Sequence, residues 1–300
     1  MDQRRITANG LTFNVYQQGS GPPLLLLHGW PEFARTWEAI APMLGGQFSL
    51  IAPDLRGFGA SDKPDPGPSD QAGSGVHAAD MFAVLDALGI DKVGVVAHDV
   101  GAYVAQFMAH SHPDRLAGLF FFDTPYPGIG SRGAAPAMLK EIWYQSFHLL
   151  PWAASVVGAT RDSCRTYFTH FLRHWCVNKS AFDDSIETWV DNFLQPGNLQ
   201  GGFNWYISNN AWRQAMLRGE LPTPGPIAVP TCIRWGAGDP VLPPAWGDRL
   251  GEFFSDLDFR VFEGVGHFPH RENPRAAADE IVAFFTRLPS AAWQPSNLKG

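Results

Sequence analysis

Residues 93–109 read VGVVAHDVGAYVAQFMA, and this stretch decides the fold of the chain. Its first four residues form an apolar run typical of a buried strand, and residues 102–109 have the apolar spacing of a helix. Ala97 and Gly101 are small, so a strand and a helix can approach each other closely around the turn between them. We therefore predict a strand–turn–helix unit in which the side chain of Asp99 projects above the edge of a sheet.

The carboxylate at this turn bears on the chemistry that the chain can perform. A serine in this position would form an acyl ester, whereas an aspartate displaces a leaving group from a saturated carbon and becomes an alkyl ester. The alternative interpretation is that Asp99 accepts hydrogen bonds from the free amides of the helix N terminus. The motif alone leaves both interpretations open.

Short apolar strands alternate with helical segments at both ends of the chain. Strands are predicted at 24–27, 49–52, 93–96, 231–235 and 258–262, and helices at 37–44, 78–88 and 274–288. This alternation is typical of βαβ units, in which helices cover both faces of a parallel sheet. The predicted fold class is therefore α/β, with a mostly parallel sheet flanked by helices.

The middle third of the chain contains helical patterns, at 137–149 and 163–175, without strand signals. It also holds six of the eleven tryptophans, at positions 143, 152, 175, 189, 205 and 212. We expect most of these rings to pack together and the rest to line an apolar pocket above Asp99. The predicted organisation is a core of residues 1–125 and 226–300 with an inserted helical cap of residues 126–225. The stretches 64–75 and 221–226 are predicted to be a surface loop and a stiff connector.

Composition and charge exclude several classes of protein. The net charge is -7 and the sequence has no run rich in lysine and arginine, so neither nucleic acid nor an anionic membrane is expected as a partner. The apolar run 24–27 is too short to span a bilayer, and the first ten residues lack the apolar segment of a signal peptide. Three cysteines without metal-site spacing predict neither a disulfide framework nor a zinc site, which fits a cytoplasmic protein. A homodimer stays open.

Two further residues, each just after a predicted strand, extend the motif at Asp99. Asp239 follows the strand at 231–235, and His267 follows the strand at 258–262. The order nucleophile, acid, histidine at strand ends would place His267 as the base that activates water and Asp239 as the group that orients its ring. The alternatives are a simple turn at Asp239 and a competing role for His270.

The segment HGWPE at 28–32 follows the predicted strand 24–27 and should reach the same sheet edge. The backbone N–H groups of Trp30 and Val100 would then form a two-donor oxyanion hole. The alternative is a plain strand-to-helix turn with His28 hydrogen-bonded in the core.

Taken together, these motifs resemble the epoxide hydrolases of the α/β-hydrolase fold, with haloalkane and haloacetate dehalogenases as near relatives. The resemblance rests on HGWPE at 28–32, DLRGFGASD at 54–62, Asp99, Asp239 and Gly266-His267, and it covers almost the whole chain. It implies hydrolysis through an ester on Asp99 without cofactor or metal. The implied partners are water and a small apolar epoxide, and the implied role is detoxification.

The same resemblance implies that two cap tyrosines, Tyr144 and Tyr206, assist opening of the epoxide. A phenol is protonated at neutral pH and can donate to a developing alkoxide without bringing a charge beforehand. By spacing alone, both rings could instead be ordinary members of a packed aromatic core.

The dehalogenase alternatives differ at positions around the nucleophile. Haloalkane dehalogenases typically have a tryptophan where this chain has Val100, although the ring nitrogen of Trp30 could act instead. Haloacetate dehalogenases carry arginines just after the nucleophile, where this chain has Val100 and Tyr103, and a histidine–tryptophan pair where it has Tyr144-Gln145. We therefore predict an epoxide hydrolase that forms a vicinal diol. The alternatives are a dehalogenase with the same triad and, more remotely, a non-catalytic receptor for a small ligand.

Overall fold

A computed structural model describes residues 1–65, 73–220 and 224–294. Eight strands form one sheet: β1 (Asp2–Ala8), β2 (Leu11–Gln18), β3 (Pro23–Leu27), β4 (Ser49–Pro53), β5 (Val93–His98), β6 (Leu116–Phe122), β7 (Thr231–Gly236) and β8 (Leu257–Phe262). Their order is β1-β2-β4-β3-β5-β6-β7-β8. The pairs β1–β2 and β2–β4 are antiparallel, and every pair from β4 to β8 is parallel. The predicted mostly parallel α/β sheet is confirmed.

Helices cover both faces of this sheet and fill the middle of the chain. They are α1 (Ala41–Leu44), α2 (Ser74–Ala87), α3 (Asp99–Ser111), α4 (Leu139–Phe147), α5 (Ala153–Val157), α6 (Arg161–His174), α7 (Ile186–Phe193), α8 (Asn198–Leu217), α9 (Pro269–Glu272) and α10 (Pro274–Arg287). The helix predicted at 37–44 is instead a 3₁₀ segment, Ala34–Ala39, followed by the short α1. None of the described helices combines the length and apolar character needed to cross a membrane.

The side chains of the central strands form two hydrophobic cores, one on each face of the sheet. Successive side chains of a strand point to opposite faces. In β3, Leu25 and Leu27 therefore pack on the side that α2 and α3 cover, whereas Leu24 and Leu26 pack on the side that α1 and α10 cover. The sheet is buried on both faces, as expected for parallel strands with continuous apolar runs.

The helices α4 to α8 all lie between β6 and β7 in the chain, where the sequence predicts helices. The cap bounds 126–225 stay a prediction. The predicted loop 64–75 and connector 221–226 fall partly outside the described residues.

The tryptophans of this segment pack less uniformly than expected. Trp175 and Trp189 are buried, and Trp205 and Trp212 line a cavity. Trp143 and Trp152 are 40% and 51% exposed.

Candidate active site

The turn between β5 and α3 has the predicted form. β5 ends at His98, and Asp99 opens α3 with φ of 47°, in the left-handed region that a residue with a β-carbon adopts only at a cost of about 1–3 kcal/mol. A β-carbon at Gly101 would lie 2.5 Å from the carbonyl oxygens of Leu27 and His28. Glycine at this position therefore allows α3 to pass directly against the end of β3.

The Asp99 carboxylate faces groups from other parts of the chain. Its Oδ1 accepts a hydrogen bond from the backbone N–H of Trp30 at 3.0 Å, and its Oδ2 lies 3.8 Å from Nε2 of His267. Among the described residues, its hydrogen bond comes from the turn after β3 and not from an amide of α3. This geometry favours a reactive carboxylate over a helix cap.

Asp239 and His267 form a buried pair beside Asp99. Nδ1 of His267 donates to Oδ2 of Asp239 at 2.7 Å, and Oδ1 of Asp239 accepts the backbone N–H groups of Val241 and Leu242, each at 2.9 Å. The carboxylate is thus fixed by its own loop and fixes the ring. With Nδ1 as the donor, Nε2 of the neutral ring is left to accept a proton on the side of Asp99.

The electrostatic setting of His267 favours its protonated form. Burial alone would lower the pKa of His267, but the Asp239 charge and hydrogen bond, together with the Asp99 charge, raise it above its ordinary value. A proton on Nε2 of His267 is therefore stabilised in place.

The competing residues occupy structural positions. Nε2 of His270 bonds Oε1 of Glu32 at 2.8 Å, below the turn, and so does not face Asp99. Nδ1 of His28 donates to the carbonyl of Gly29 at 2.9 Å, and its Nε2 accepts the Leu55 N–H at 3.1 Å. His28 is therefore hydrogen-bonded in the core, as the alternative interpretation of the HGWPE segment proposed.

A buried chain of hydrogen bonds under the site is additional to the sequence predictions. Oε2 of Glu32 accepts from Nδ1 of His98 at 2.6 Å, and Nε2 of His98 donates to the main-chain oxygen of His267 at 2.7 Å. Although burial would raise the pKa of Glu32, His270 and His98 hold it well below its usual range. The turn at 29–32, the end of β5 and the His267 loop are therefore tied together.

Tyr144 from α4 and Tyr206 from α8 meet above Asp99. The Tyr144 ring stacks on the Trp30 indole, with centroids 4.8 Å apart, and is nearly perpendicular to the Tyr206 ring, at 5.5 Å. Burial, followed by the charge of Asp99, raises the pKa of Tyr144. Burial, the other phenol and Asp99 raise the pKa of Tyr206. Both hydroxyls are therefore protonated at neutral pH and able to donate.

The ring nitrogen of Trp30 points elsewhere. A β-carbon at Gly202 would lie 3.6 Å from it, and it is buried without a hydrogen-bond partner among the described residues. Trp30 does not line the cavity described below, so its indole N–H does not replace the donor that Val100 lacks. The Val100 N–H, in the first turn of α3, has no partner within that helix.

A cavity of about 170 Å³ opens onto Asp99 and both tyrosines. Its walls come from the core and from the helices between β6 and β7, and they are mostly apolar. The apolar side chains include Val100, Ile129, Ile142, Trp205, Trp212 and Leu242. A small, largely apolar molecule fits this setting.

Asp123 is a site neighbour that the sequence predictions missed. It follows β6 directly, is fully buried with φ of 41°, and its Oδ1 accepts the Gly236 N–H at 2.8 Å. Its carboxylate lies within 4.8 Å of the polar side-chain atoms of Asp239 and His267. Burial, followed by the charge of Asp239, raises the pKa of Asp123 well above its usual range. The apolar run 116–122 before it was the signal that could have placed it at the sheet edge.

Two groups in the described residues have donor types that suit a metal: Glu32 with His98 and His270, and Asp123 with Asp239 and His267. In the first group, both histidines bond the Glu32 carboxylate. In the second, Nδ1 of His267 bonds Asp239. These bonds account for the close approach of the side chains in the first group and of His267 and Asp239 in the second.

Comparison with known proteins identifies both the fold family of the chain and the class of enzyme to which its relatives belong. The model of the α/β-hydrolase fold family matches residues 22–274, and the chain belongs to this family. It is 40% identical to "Epoxide hydrolase 2" of Siraitia grosvenorii over 96% of this chain and 99% of the relative. It is 30% identical to "Soluble epoxide hydrolase" of Corynebacterium sp. (strain C12) over 93% and 96% of the two chains.

Two other relatives complete the comparison. "Fluoroacetate dehalogenase" of Burkholderia sp is 29% identical over 67% of this chain and 66% of the relative. The solved structure of epoxide hydrolase CorEH without ligand superposes with a TM-score of 0.82 at 29% identity, covering 96% and 99% of the two chains. The protein is accordingly a hydrolase with the α/β-hydrolase fold.

Proposed function

We propose that the protein hydrolyses epoxides to vicinal diols through an ester on Asp99. The observation that carries this proposal is the pair of protonated phenols, Tyr144 and Tyr206, which line the same cavity as Asp99. The proposal is also supported by relatives named epoxide hydrolase, which this chain matches over nearly their whole length.

In the first step, a carboxylate oxygen of Asp99 attacks an epoxide carbon and the carbon–oxygen bond breaks. The leaving alkoxide remains attached to the substrate and takes a proton from Tyr144 or Tyr206 while the other phenol donates a hydrogen bond. The product is a hydroxyalkyl ester of Asp99 and one phenolate. Because the phenols carry no charge beforehand, they stabilise the developing alkoxide without placing a second cation or anion beside the oxirane.

In the second step, Nε2 of His267 removes a proton from water, and the hydroxide adds to the ester carbonyl of Asp99. The resulting oxyanion lies against the N–H groups of Trp30 and Val100, and each such donor contributes about 2.7–4 kcal/mol in comparable sites. Collapse releases the diol and restores the carboxylate. The proton held by His267 balances the one that the phenol gave up.

Dehalogenation is the second candidate, because a dehalogenase is also among the relatives. A halide needs fixed donors and no proton source. The cavity-lining side chains that follow Asp99 in α3, Val100 and Tyr103, are both uncharged, and the indole N–H of Trp30 lies outside the cavity. These features favour an oxygen leaving group.

The proposal predicts that the ester accumulates when its hydrolysis is blocked. In His267→Gln, an epoxide such as styrene oxide should add its full mass to the protein, and peptide mapping should place the adduct on Asp99. The matched control is His267→Gln combined with Asp99→Asn, which should stay unmodified. A folded His267→Gln protein without adduct, alongside a parent that forms diol, contradicts the scheme.

A substrate panel separates the candidates. Epoxides, haloalkanes and haloacetate are offered to the parent enzyme, and diol and free halide are both measured. Halide without diol favours the dehalogenase. Ligands that raise the unfolding temperature without any product favour a receptor, because binding to the folded form alone stabilises it.

A further inference from the structure

One charged side chain of the cavity has no part in the proposed mechanism. Of the described residues that line the cavity, only Asp99 and Arg213 carry a charge at neutral pH. Arg213 lies on α8, as does Tyr206. The cavity therefore has one carboxylate and one guanidinium among side chains that are otherwise apolar or neutral and polar.

Arg213 has no ion pair or hydrogen bond with any residue in the described parts of the chain. By contrast, Arg218 at the end of the same helix pairs with Glu220 at 2.6 Å. Burial lowers the pKa of Arg213, and the groups that act in the opposite direction are Tyr144 and Tyr206. A partly buried cation without an anion costs free energy, and a bound anion would offset that cost.

The spacing along α8 indicates where such an anion would lie. Tyr206 and Arg213 are seven residues apart, so they share one face of the helix, about 10 Å apart along its axis. An arginine side chain is long enough to reach back over part of this interval. The anion would thus be several bonds from the oxirane that Tyr206 holds.

We propose that the natural substrate is an epoxide with a carboxylate several bonds from the oxirane, and that Arg213 binds this carboxylate. This inference rests on the proposed function, because the oxirane position is defined by Tyr144, Tyr206 and Asp99. The planar guanidinium matches a carboxylate with two parallel hydrogen bonds. A single cation balances a monoanion but leaves a phosphate dianion half uncompensated, so the carboxylate is the better match.

The two charges of the cavity also orient such a substrate. The Asp99 carboxylate repels the substrate carboxylate, and Arg213 attracts it. The electrophilic carbon is thereby directed toward Asp99, and the wrong end-to-end orientation is disfavoured. Arg213 would be a specificity-determining residue.

The test compares two nearly isosteric substrates, 4-(oxiran-2-yl)benzoate and 4-(oxiran-2-yl)benzamide. The measured quantity is the ratio of their kcat/KM values, in the parent, in Arg213→Gln and in the control Arg218→Gln. We expect the parent to favour the benzoate, and Arg213→Gln to lower the ratio at least tenfold, as loss of a charge-assisted pair should. Arg218→Gln should keep the parent ratio.

An equal fall for both substrates in Arg213→Gln, with an unchanged ratio, would overturn the inference and would mean that Arg213 acts through the tyrosines. A parent that prefers the benzamide would overturn it as well. Oxirane-2-carboxylate, in which the carboxylate is directly on the ring, should gain nothing from Arg213.

A binding measurement makes this result independent of turnover. Calorimetry with 4-ethylbenzoate and 4-ethylbenzamide, which have no oxirane, should show tighter binding of the benzoate to the parent and loss of that preference in Arg213→Gln. Equal affinities in the parent refute the anion site. A panel in which no epoxide yields diol refutes the proposed function instead, and the calorimetry still decides whether Arg213 binds a carboxylate.

Discussion

At the scale of single residues, the carboxyl groups of Asp99, Asp123 and Asp239 lie close to the His267 imidazole. The protonation state of each group decides its role. His267 bonds Asp239 and not Asp123, since the Nδ1–Oδ2 distance to Asp239 is 2.7 Å. Asp123 has a pKa well above its usual range, because burial and the nearby Asp239 both disfavour its charge. The raised pKa means that the protonated form of Asp123, which does not repel Asp239, is favoured over its charged form.

This difference predicts unequal effects of two equivalent substitutions. Asp123→Asn puts a neutral amide in place of a carboxyl group whose charge is disfavoured, and the amide oxygen can still accept the Gly236 N–H, so kcat should fall less than about tenfold. In Asp239→Asn, the amide oxygen can keep the Val241 and Leu242 N–H groups, which leaves the NH2 group to donate to Nδ1 of His267 and to select the wrong tautomer. A loss of up to about 10⁴-fold in kcat is expected.

The pH dependence provides a second readout of the same pair. His267 must be neutral to act as a base, so kcat should rise with pH through a midpoint above 6.5 in the parent. Asp239→Asn should move this midpoint to lower pH, because it removes a charge that favours the imidazolium. If Asp123→Asn were the damaging change instead, Asp123 would be the residue that orients His267.

At the scale of elements, the contact between α3 and the end of β3 depends on Gly101. An added β-carbon would lie 2.5 Å from two backbone carbonyls, which cannot move aside as a flexible side chain could. Gly101→Ala should lower the free energy of unfolding by about 1–3 kcal/mol, as other overpacking substitutions do. Urea unfolding measures this change.

The control for this prediction is Gly251→Ala. An added β-carbon there meets nothing within 4 Å, and the backbone has no positive φ. Its free energy of unfolding should stay within about 0.5 kcal/mol of the parent. If both variants have the same free energy of unfolding, the backbone at the end of β3 can shift to accommodate the added β-carbon, which contradicts the prediction.

Element by element, sequence patterns succeeded where the apolar runs were short and bounded. The five predicted strands at 24–27, 49–52, 93–96, 231–235 and 258–262 all coincide with observed strands. Three of the described strands, β1, β2 and β6, were not predicted. β6 has a clear apolar run that was overlooked. The residues of β1 are mostly exposed and carry charges, so no apolar pattern marks β1. Its stability comes from pairing with β2, a long-range interaction that a local window does not contain.

The same limitation applies to the site. Asp99, Asp239 and His267 were predictable because each stands just after a recognisable strand. The Glu32–His98 contact was not, since 66 residues separate its members and only the folded sheet brings them within 2.6 Å. Arg213 was missed because the pattern of α8 does not reveal which of its faces meets the cavity.

At the scale of the whole molecule, buried histidines make stability depend on pH, and His77 and His270 are two of them. Burial lowers the pKa of His77 to about 3. Burial also lowers the pKa of His270 to about 4, against the opposing charge of Glu32. In the unfolded chain, both rings take up a proton near pH 6.5. Below this pH the unfolded state binds more protons than the folded state, and stability is lost.

We expect the free energy of unfolding to fall by about 1.4 kcal/mol per pH unit for each of these histidines between pH 6.5 and about 4. Urea unfolding at pH 6.5, 5.5 and 4.5 measures the slope. His77→Asn removes one of these groups and should reduce the slope by about 1.4 kcal/mol per pH unit, even if the variant is less stable at every pH. An unaltered slope in His77→Asn would exclude this residue as a cause.

The hydrogen bond from Trp30 to Asp99 has a consequence for the path of each oxygen atom. Because the Trp30 N–H holds Oδ1, the attacking atom in the proposed reaction is Oδ2, which lies nearer His267. The diol departs with this Oδ2 atom, and the oxygen of the water molecule takes its place in the side chain. If the carboxylate does not rotate between cycles, each water oxygen is stored in the protein for one turnover. In water enriched in heavy oxygen, the first diol would then leave unlabelled, and the isotope would appear only in the second.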